Sequence, residues 1–250
     1  MNWQELASSD FAAIDRATPV LLPVAAIEQH GPHLPLATDR MIAEYFAEQL
    51  NAKLGSGVLT LPTVAVGCSD HHMDFAGSLT LRQETFVDVC AQMLDGTRRH
   101  GFRNFLVLNA HGGNQGACQV MLERFGADHQ DCQIAVATWW RAASEALSAL
   151  NQTGPGGVGH ACEFETSLML LIAPQLVRME AVEPRANVPT FDWAEGDLLR
   201  SPRVAIFRTM KQMTPNGAYG EPAQATAAKG RQIAEIVCET LSVVIRDLTR

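Results

Sequence analysis

The residues best suited to chemistry are carboxylates and imidazoles that follow buried apolar stretches. Glu28 and His30 come after one such stretch and lie two positions apart. In an extended segment, side chains at this spacing point to the same side. Asp39 follows where a helical pattern begins, and His111 follows a second apolar stretch. If the segments meet in space, these four side chains form a cluster of oxygen and nitrogen donors.

A further set of such residues follows a glycine-rich loop, at His160, Glu163 and Glu165. A mixture of carboxylates and imidazoles suits Zn²⁺, Mn²⁺ or Fe²⁺ better than Ca²⁺, which prefers oxygen ligands alone. Five ligands can hold two ions if one carboxylate bridges them. We therefore predict a site for two divalent cations, Zn, Mn or Fe, with these ligands: Glu28, His30, Asp39, His111 and Glu163.

Each of these residues also has a structural interpretation. Asp39 could cap a helix, and His111 could be a hydrogen-bonded core histidine. Glu163 and Glu165 could favour a helix N-terminus electrostatically. None of these alternatives predicts that the residues follow the ends of strands on one rim of a sheet, so the pattern as a whole favours a functional site.

The elements that must position these residues alternate between buried strands and amphipathic helices. Because strand–helix alternation is typical of parallel sheets covered on both faces, we predict an α/β fold, a three-layer α/β/α sandwich with a mostly parallel sheet. In such sheets, functional residues collect at the carboxyl ends of the strands. The predicted strands cover residues 19–27, 58–66, 104–109, 133–138 and a short one at 204–207.

Helical periodicity and capping signals separate these strands. A possible capping box at Thr80 and Gln83 precedes the second predicted helix. We interpret residues 1–250 as a single domain without internal repeats. The predicted helices cover residues 39–55, 84–100, 115–125, 141–150, 163–173 and 223–248.

Composition narrows the class of partner. The 250 residues are 47% hydrophobic and carry a net charge of −8, which argues against nucleic acid or an anionic membrane as a partner. Six scattered cysteines and an N-terminus without the features of a signal peptide favour a cytoplasmic protein with reduced thiols. The modest charged fraction, 18%, favours a homo-oligomer with buried faces. We expect a small-molecule substrate.

Four blocks of the sequence resemble the creatininase (creatinine amidohydrolase) family in motif and in order. They are IEQHGPHLPLATD at residues 27–39, NAHGGN at 109–114, HACEFETS at 160–167 and the weaker DFAGSLT at 74–80. The resemblance implies an α/β/α fold, a dinuclear metal centre, hydrolysis of an amide or related C–N bond, and a homo-oligomer such as a hexamer. It also implies that Asp39 bridges the ions and that His160 is the acid/base residue. We predict that Glu165 assists catalysis by orienting His160 or a metal ligand.

The sequence departs from creatininase itself after His111. The family's creatinine-opening enzymes have a Tyr and then a ligand Glu there, whereas this chain has Gly112 and Gly113. Glu163 is the replacement ligand that we predict. Creatinine is therefore not the expected substrate, and the resemblance points to a wider branch of the family.

We accordingly predict a metal-dependent amidohydrolase that cleaves a small cyclic amide or formamide. The alternatives are a metallopeptidase-like enzyme acting on a peptide terminus and a non-catalytic metal-stabilised binding protein. We predict His72 and Trp140 as substrate-binding residues, because one lies beside the DFAGSLT block and the other ends a strand.

Overall fold

The computed structural model describes residues 1–249 and contains a four-stranded parallel sheet. The strand order is β2-β1-β3-β4, and each neighbouring pair is parallel. This confirms the predicted α/β class with a mostly parallel sheet. The strands are β1 (Val20–Val24), β2 (Leu59–Thr60), β3 (Asn104–Asn109) and β4 (Gln133–Thr138).

Helices cover both faces of the sheet. In chain order they are α1 (Thr38–Leu54), α2 (Gln83–Arg99), α3 (Gln115–Asp128), α4 (Trp139–Ala142), α5 (Ser144–Ser148), α6 (Glu163–Ile172), α7 (Met210–Met213) and α8 (Ala227–Asp247). Within residues 1–249, none of these helices combines the length and hydrophobicity needed to cross a bilayer.

Alternate side chains of each strand divide the core into two apolar clusters. Leu21 of β1 and Leu106 of β3 face the cluster formed with α1, α6 and α8. Leu22 and Val107 face the opposite cluster, formed with α2 and α3. Since successive residues of a strand point to opposite faces, an uninterrupted apolar strand is what a sheet buried on both sides requires.

Two prolines limit the pairing between β1 and β2. Pro23 lies in an inner strand, although proline is normally confined to strand edges. Beyond Thr60 the regular ladder stops before Pro62, and only a single bridge joins Val24 to Val64. The predicted strand 58–66 is therefore much shorter in the structure.

Two local predictions are wrong. Residues 204–207 form no strand, and the side chains of Val204 and Phe207 are exposed rather than packed in a sheet. The proposed capping box does not form either, because α2 begins after Arg82 without a side-chain cap. Instead, the hydroxyl of Thr80 accepts a hydrogen bond from the backbone N–H of Ser69 at 2.9 Å.

Candidate metal centre

Loops that leave the carboxyl ends of the parallel strands form the site. Glu28 and His30 lie in the loop after β1, and Asp39 lies in the first turn of α1. His111 follows β3 directly, and the loop after β2 brings His72 to the same place. This is the rim at which parallel sheets usually carry their functional residues.

One side of the cluster joins Glu28, Asp39 and His111. The Nδ1 atom of His111 lies 3.2 Å from Oε1 of Glu28 and 3.0 Å from Oδ2 of Asp39. All three side chains are buried. Their ligand atoms lie within 4.8 Å of one another, as the coordination of one ion requires.

The other side joins His30, His160 and Glu165. Their ligand atoms also lie within 4.8 Å of one another. His30 Nε2 is 3.0 Å from Oδ1 of Asp39, whereas Oδ2 of Asp39 faces His111. The two oxygens of Asp39 thus face two different imidazoles, which is the arrangement expected of a bridging carboxylate.

Backbone carbonyls orient the three imidazoles. His30 Nδ1 donates to the carbonyl of Glu28 at 3.1 Å, and His111 Nε2 donates to the carbonyl of Cys68 at 3.0 Å. His160 Nε2 donates to the carbonyl of Gln29 at 2.7 Å. In each ring the opposite nitrogen then faces the carboxylates, and it would offer its lone pair to a bound ion, as in many metal-binding histidines.

His72 is held differently. The amide oxygen of Gln29 accepts from the N–H of Gly31, and its nitrogen donates to the carbonyl of Gly217. The same amide nitrogen therefore donates to His72 Nδ1 at 2.9 Å. His72 Nε2 then carries the proton and faces Glu28 Oε1 at 3.2 Å. This places His72 beside Glu28 without a hydrogen bond between them, and Glu28, His72 and His160 also lie close enough to surround an ion.

The charges in the cluster depend strongly on one another. Burial disfavours a charged His30, but the carboxylate of Asp39 raises the pKa of His30 to about 9. Burial likewise opposes protonation of His111, yet Glu28 and Asp39 raise its pKa well above the ordinary value. In contrast, burial and the nearby charge of His30 lower the pKa of His160 to about 3, which favours a neutral ring.

The carboxylates fit a bound cation. Among residues 1–249, both carboxylate oxygens of Glu28 and Oδ2 of Asp39 are buried without a hydrogen-bond partner. A buried carboxylate that lacks such partners is costly unless a positive charge compensates for it. Divalent cations would supply that charge in place of the protons on His30 and His111, because metal ligands bind in their deprotonated forms.

The structure gives Glu163 partners other than the candidate ligand groups, so its role as a ligand stays a prediction. Its Oε2 accepts a hydrogen bond from the hydroxyl of Thr153 at 2.7 Å, and its Oε1 pairs with the ammonium of Lys229. Glu163 belongs to none of the candidate ligand groups within residues 1–249, whereas Glu165 does. Both glutamates lie in the first turn of α6. Side chains two residues apart on a helix differ by about 200° in direction, so only one of them can face the cluster.

Sequence reasoning did not single out the polar residues that hold the loops together. The side-chain oxygen of Asn114 accepts from the N–H of Cys68 at 2.9 Å, and its nitrogen donates to the carbonyl of Ala25 at 3.1 Å. A β-carbon on Gly113 would lie 2.1 Å from the carbonyl oxygen of Cys68. The glycine-rich motif after His111 is the sequence feature that could have identified both Gly113 and Asn114.

A cavity of about 320 Å³ opens above the cluster. Trp140 lines it, as do His72 and His160, whereas Trp139 packs in the core at 5.7 Å from Phe46. The substrate-binding roles of His72 and Trp140 stay predictions, but both residues border the space in which a substrate would sit.

The matching family model, described as creatinine amidohydrolase, covers residues 1–245. The mycofactocin precursor peptide peptidase of Mycobacterium tuberculosis is 30% identical over 243 residues, covering 92% of this chain and 85% of that protein. The 3-dehydro-scyllo-inosose hydrolase of Thermotoga maritima is 27% identical over 242 residues, covering 92% and 77%.

Solved structures show the same fold. A crystal structure of creatinine amidohydrolase (creatininase) superimposes with a TM-score of 0.81 at 23% identity, covering 98% of this chain and 96% of that one. Manganese and zinc–zinc forms of creatininase, the latter of a variant enzyme, match with a TM-score of 0.79 at 24% identity. Each of these covers 98% of this chain and 97% of its own. The chain therefore belongs to the creatininase (creatinine amidohydrolase) family.

Proposed function

We propose that this chain is a dinuclear metal-dependent amidohydrolase that cleaves a C–N bond in a small cyclic amide or formamide. The observation that carries the proposal is the position of Asp39. One of its buried oxygens faces His30 and the other faces His111. The names of the relatives, a peptidase, a hydrolase and an amidohydrolase, support hydrolysis. The manganese and zinc–zinc forms of creatininase support the choice of metals.

In this proposal Glu28 and His111 would hold one cation, His30 and Glu165 would hold the other, and Asp39 would contribute one oxygen to each. When bound, a pair of such ions lowers the pKa of water toward neutrality and polarises a substrate carbonyl. The unpartnered carboxylate oxygens of Glu28 and Asp39 supply the negative charge that the ions need. Fe²⁺ fits the same donor set as Zn²⁺ and Mn²⁺.

His160 is the residue placed to move a proton. Its Nε2 proton is committed to the carbonyl of Gln29, so Nδ1 carries the lone pair, 3.7 Å from Glu28 Oε1. This nitrogen can accept a proton from the attacking water and donate it to the leaving nitrogen, which is a poor leaving group unless it is protonated. The hydrogen bond to the Gln29 carbonyl strengthens when the ring becomes positively charged.

Metal analysis followed by a substrate panel tests the proposal. We expect two Zn, Mn or Fe ions per chain by elemental analysis, and loss of activity with a chelator followed by recovery on metal addition. Lactams, formamides and short peptides form the panel. Full activity of metal-free protein, or a stoichiometry of one ion in the active enzyme, contradicts the dinuclear mechanism.

His160→Ala separates catalysis from metal binding. We expect turnover to fall by about 10²–10⁴-fold, the usual contribution of a general acid–base residue, while both ions stay bound. A non-catalytic metal-stabilised binding protein needs no such residue, so it would show no activity to lose. An unchanged turnover in His160→Ala removes this residue from the mechanism.

A metallopeptidase-like activity on a peptide terminus is the second candidate. A second cavity of about 470 Å³ adjoins the first and shares Gly196, Asp197 and Tyr219 with it, so the space above the cluster is elongated. The relative that matches at 30% identity is a peptidase. In the panel, short peptides cleaved in preference to lactams and formamides would favour this activity.

A further inference from the structure

Two arginines line the outer part of the cavity above the metal cluster. Arg141 extends from α4, the helix that follows β4, and Arg208 comes from the segment before α7. Neither takes part in the chemistry proposed above. Their placement in the same cavity as His160 and Glu165 raises the question of what they bind.

Neither arginine forms an ion pair with a carboxylate within residues 1–249. Arg141 Nη2 donates to the hydroxyl of Ser201 at 2.7 Å, and Arg208 Nη1 donates to the carbonyls of Val188 and Pro189 at 3.3 and 3.5 Å. These are neutral acceptors, two of them at long range. Since a guanidinium offers five N–H donors, most of this donor capacity is left for a ligand.

The acidic residues of the cavity do not neutralise these arginines. Glu28, Asp39 and Glu165 belong to the metal cluster. The remaining one is Asp197, whose Oδ1 accepts from the N–H groups of Leu199 and Arg200, at 3.0 and 2.8 Å. Its Oδ2 accepts from the N–H of Gly156 at 2.8 Å. The loop backbone thus occupies its oxygens, so no carboxylate that lines this cavity pairs directly with Arg141 or Arg208.

Tyr219 contacts His160 and lines the same cavity as the two arginines. Its backbone pairs with that of His160 in both directions, at 2.7 and 2.8 Å, and its side chain lines the cavity. Burial raises the pKa of the Tyr219 phenol, and the charges of Glu195 and Asp197 add to this effect, whereas Arg208 lies close enough for its charge to oppose it. A substrate whose amide reaches the cluster therefore shares its cavity with both arginines.

We propose that the substrate carries an anionic group, a carboxylate or a phosphate, that Arg141 and Arg208 bind while the amide sits at the metal cluster. Guanidinium groups bind both anions through charge-assisted and often paired hydrogen bonds. This inference rests on the proposed amidohydrolase function and narrows its substrate class. Neutral lactams and formamides would bind at the cluster without an ionic contact to Arg141 or Arg208.

Matched pairs of probes test the charge requirement. 5-Oxoproline and its carboxamide differ only at the carboxylate, and N-formyl-O-phosphoethanolamine and N-formylethanolamine differ at the phosphate. Calorimetry on the metal-loaded protein gives the Kd of each probe, and turnover of the same probes is recorded in parallel. We expect the anionic member of at least one pair to bind about tenfold or more tightly, the size expected for charge-assisted hydrogen bonds. The pair that shows the preference identifies the anion.

The variants Arg208→Gln and Arg141→Gln locate the effect, with Arg231→Gln, an exposed position on α8, as the matched control. We expect the Arg208 and Arg141 variants to weaken the anionic probe by about tenfold and the neutral probe by less than about twofold. The control should change neither, and metal content should stay the same in all three.

Equal affinity for both members of each pair, an equal loss for charged and neutral probes in the variants, or no binding of either anionic probe overturns the inference. The proposed function fails separately. If the anionic probe binds through the arginines and no probe is hydrolysed, the anion site stands and the amidohydrolase proposal loses its support. If neutral and anionic probes are hydrolysed with equal KM, the amidohydrolase stands and the anion site does not.

Discussion

Asp39 is the residue on which both halves of the candidate metal centre depend. Its oxygens lie 3.0 Å from His30 Nε2 and 3.0 Å from His111 Nδ1. In Asp39→Asn the amide nitrogen can neither bind a cation nor bridge two. Because loss of a supporting partner alone costs about 10–100-fold in metal affinity, we expect at least about a 100-fold loss here. Competition with a chromophoric chelator measures it, and retention of two tightly bound ions contradicts the bridging role.

His72 gives a second prediction at the residue scale: its Nε2 lies 3.2 Å from Glu28 Oε1, and we expect it to act as a donor to that oxygen. His72→Gln keeps an N–H that can reach the carboxylate, whereas His72→Leu removes it. We expect the Leu variant to lose about 10–100-fold in metal affinity and the Gln variant to lose less. His100, which packs beside Trp3, provides a control substitution to Leu at a residue outside the candidate ligand groups.

Equal losses in the two His72 variants would contradict the donor role, and a loss as large as that of Asp39→Asn would indicate a ligand. The sequence placed His72 near the substrate but contained no sign of its partner. The tautomer follows from Gln29, whose amide is fixed by Gly31 and Gly217. Such long-range contacts depend on how separate loops meet, so local patterns could not predict them.

At the scale of elements, the two glutamates in the first turn of α6 have different roles. Glu165 faces the cluster, and burial raises its pKa to about 7 in the absence of a cation. Glu163 joins α6 to α8 through Lys229, which also donates to the side chain of Gln152 at 2.8 Å. The same turn therefore serves the chemistry on one side and the packing of two helices on the other.

Substitutions at Glu165 and Glu163 separate metal binding from the packing of α6 against α8. Glu165→Gln should lower the number of bound ions from two toward one with little change in the unfolding temperature of the metal-free protein. Glu163→Gln should keep the ions but leave Lys229 buried without its partner, which costs about 3–5 kcal/mol. Chemical denaturation and elemental analysis measure the two effects.

The double variant Glu163→Met with Lys229→Met is the control for the buried ion pair, because replacing both partners with apolar residues is often neutral. It should recover most of the stability that Glu163→Gln loses. If Glu163→Gln instead loses an ion and stays stable, the original assignment of Glu163 as a ligand is right.

The strands show why some elements were predictable and others were not. The predicted strands 104–109 and 133–138 have the same bounds as β3 and β4, because each has an uninterrupted apolar run between clear helical patterns. The direction of a side chain in the first turn of a helix depends on where that helix begins and how it docks. That is why the sequence found the glutamate pair without showing which member faces the cluster.

At the scale of the whole molecule, the segment between α6 and α7 leaves large apolar side chains in solvent. Phe207 is 74% exposed and Phe191 58% exposed, and the ring of Phe191 stacks on Trp193 with centroids 4.8 Å apart. Exposed apolar patches often mark protein–protein contacts. We propose that the chain forms a homo-oligomer in which this segment lies at an interface.

Light scattering tests the proposal. We expect a mass that is a multiple of 27.2 kDa, with dissociation toward the single chain in Phe207→Glu. Val243→Glu, at another exposed apolar position on α8, is the comparison and should leave the mass unchanged. A single-chain mass for the unmodified protein at micromolar concentration would contradict it.

The short run from Glu28 to His30 has a consequence for how this protein tolerates change in chain length. Its outer two side chains face the candidate ions, while Gln29 between them fastens Gly31, Gly217 and His72. Adding or deleting one residue here would turn the side chains of Glu28 and His30 away from the candidate ions. It would also break the hydrogen bonds of Gln29. Other surface loops can tolerate insertions and deletions, but the number of residues in this loop is fixed by its contacts.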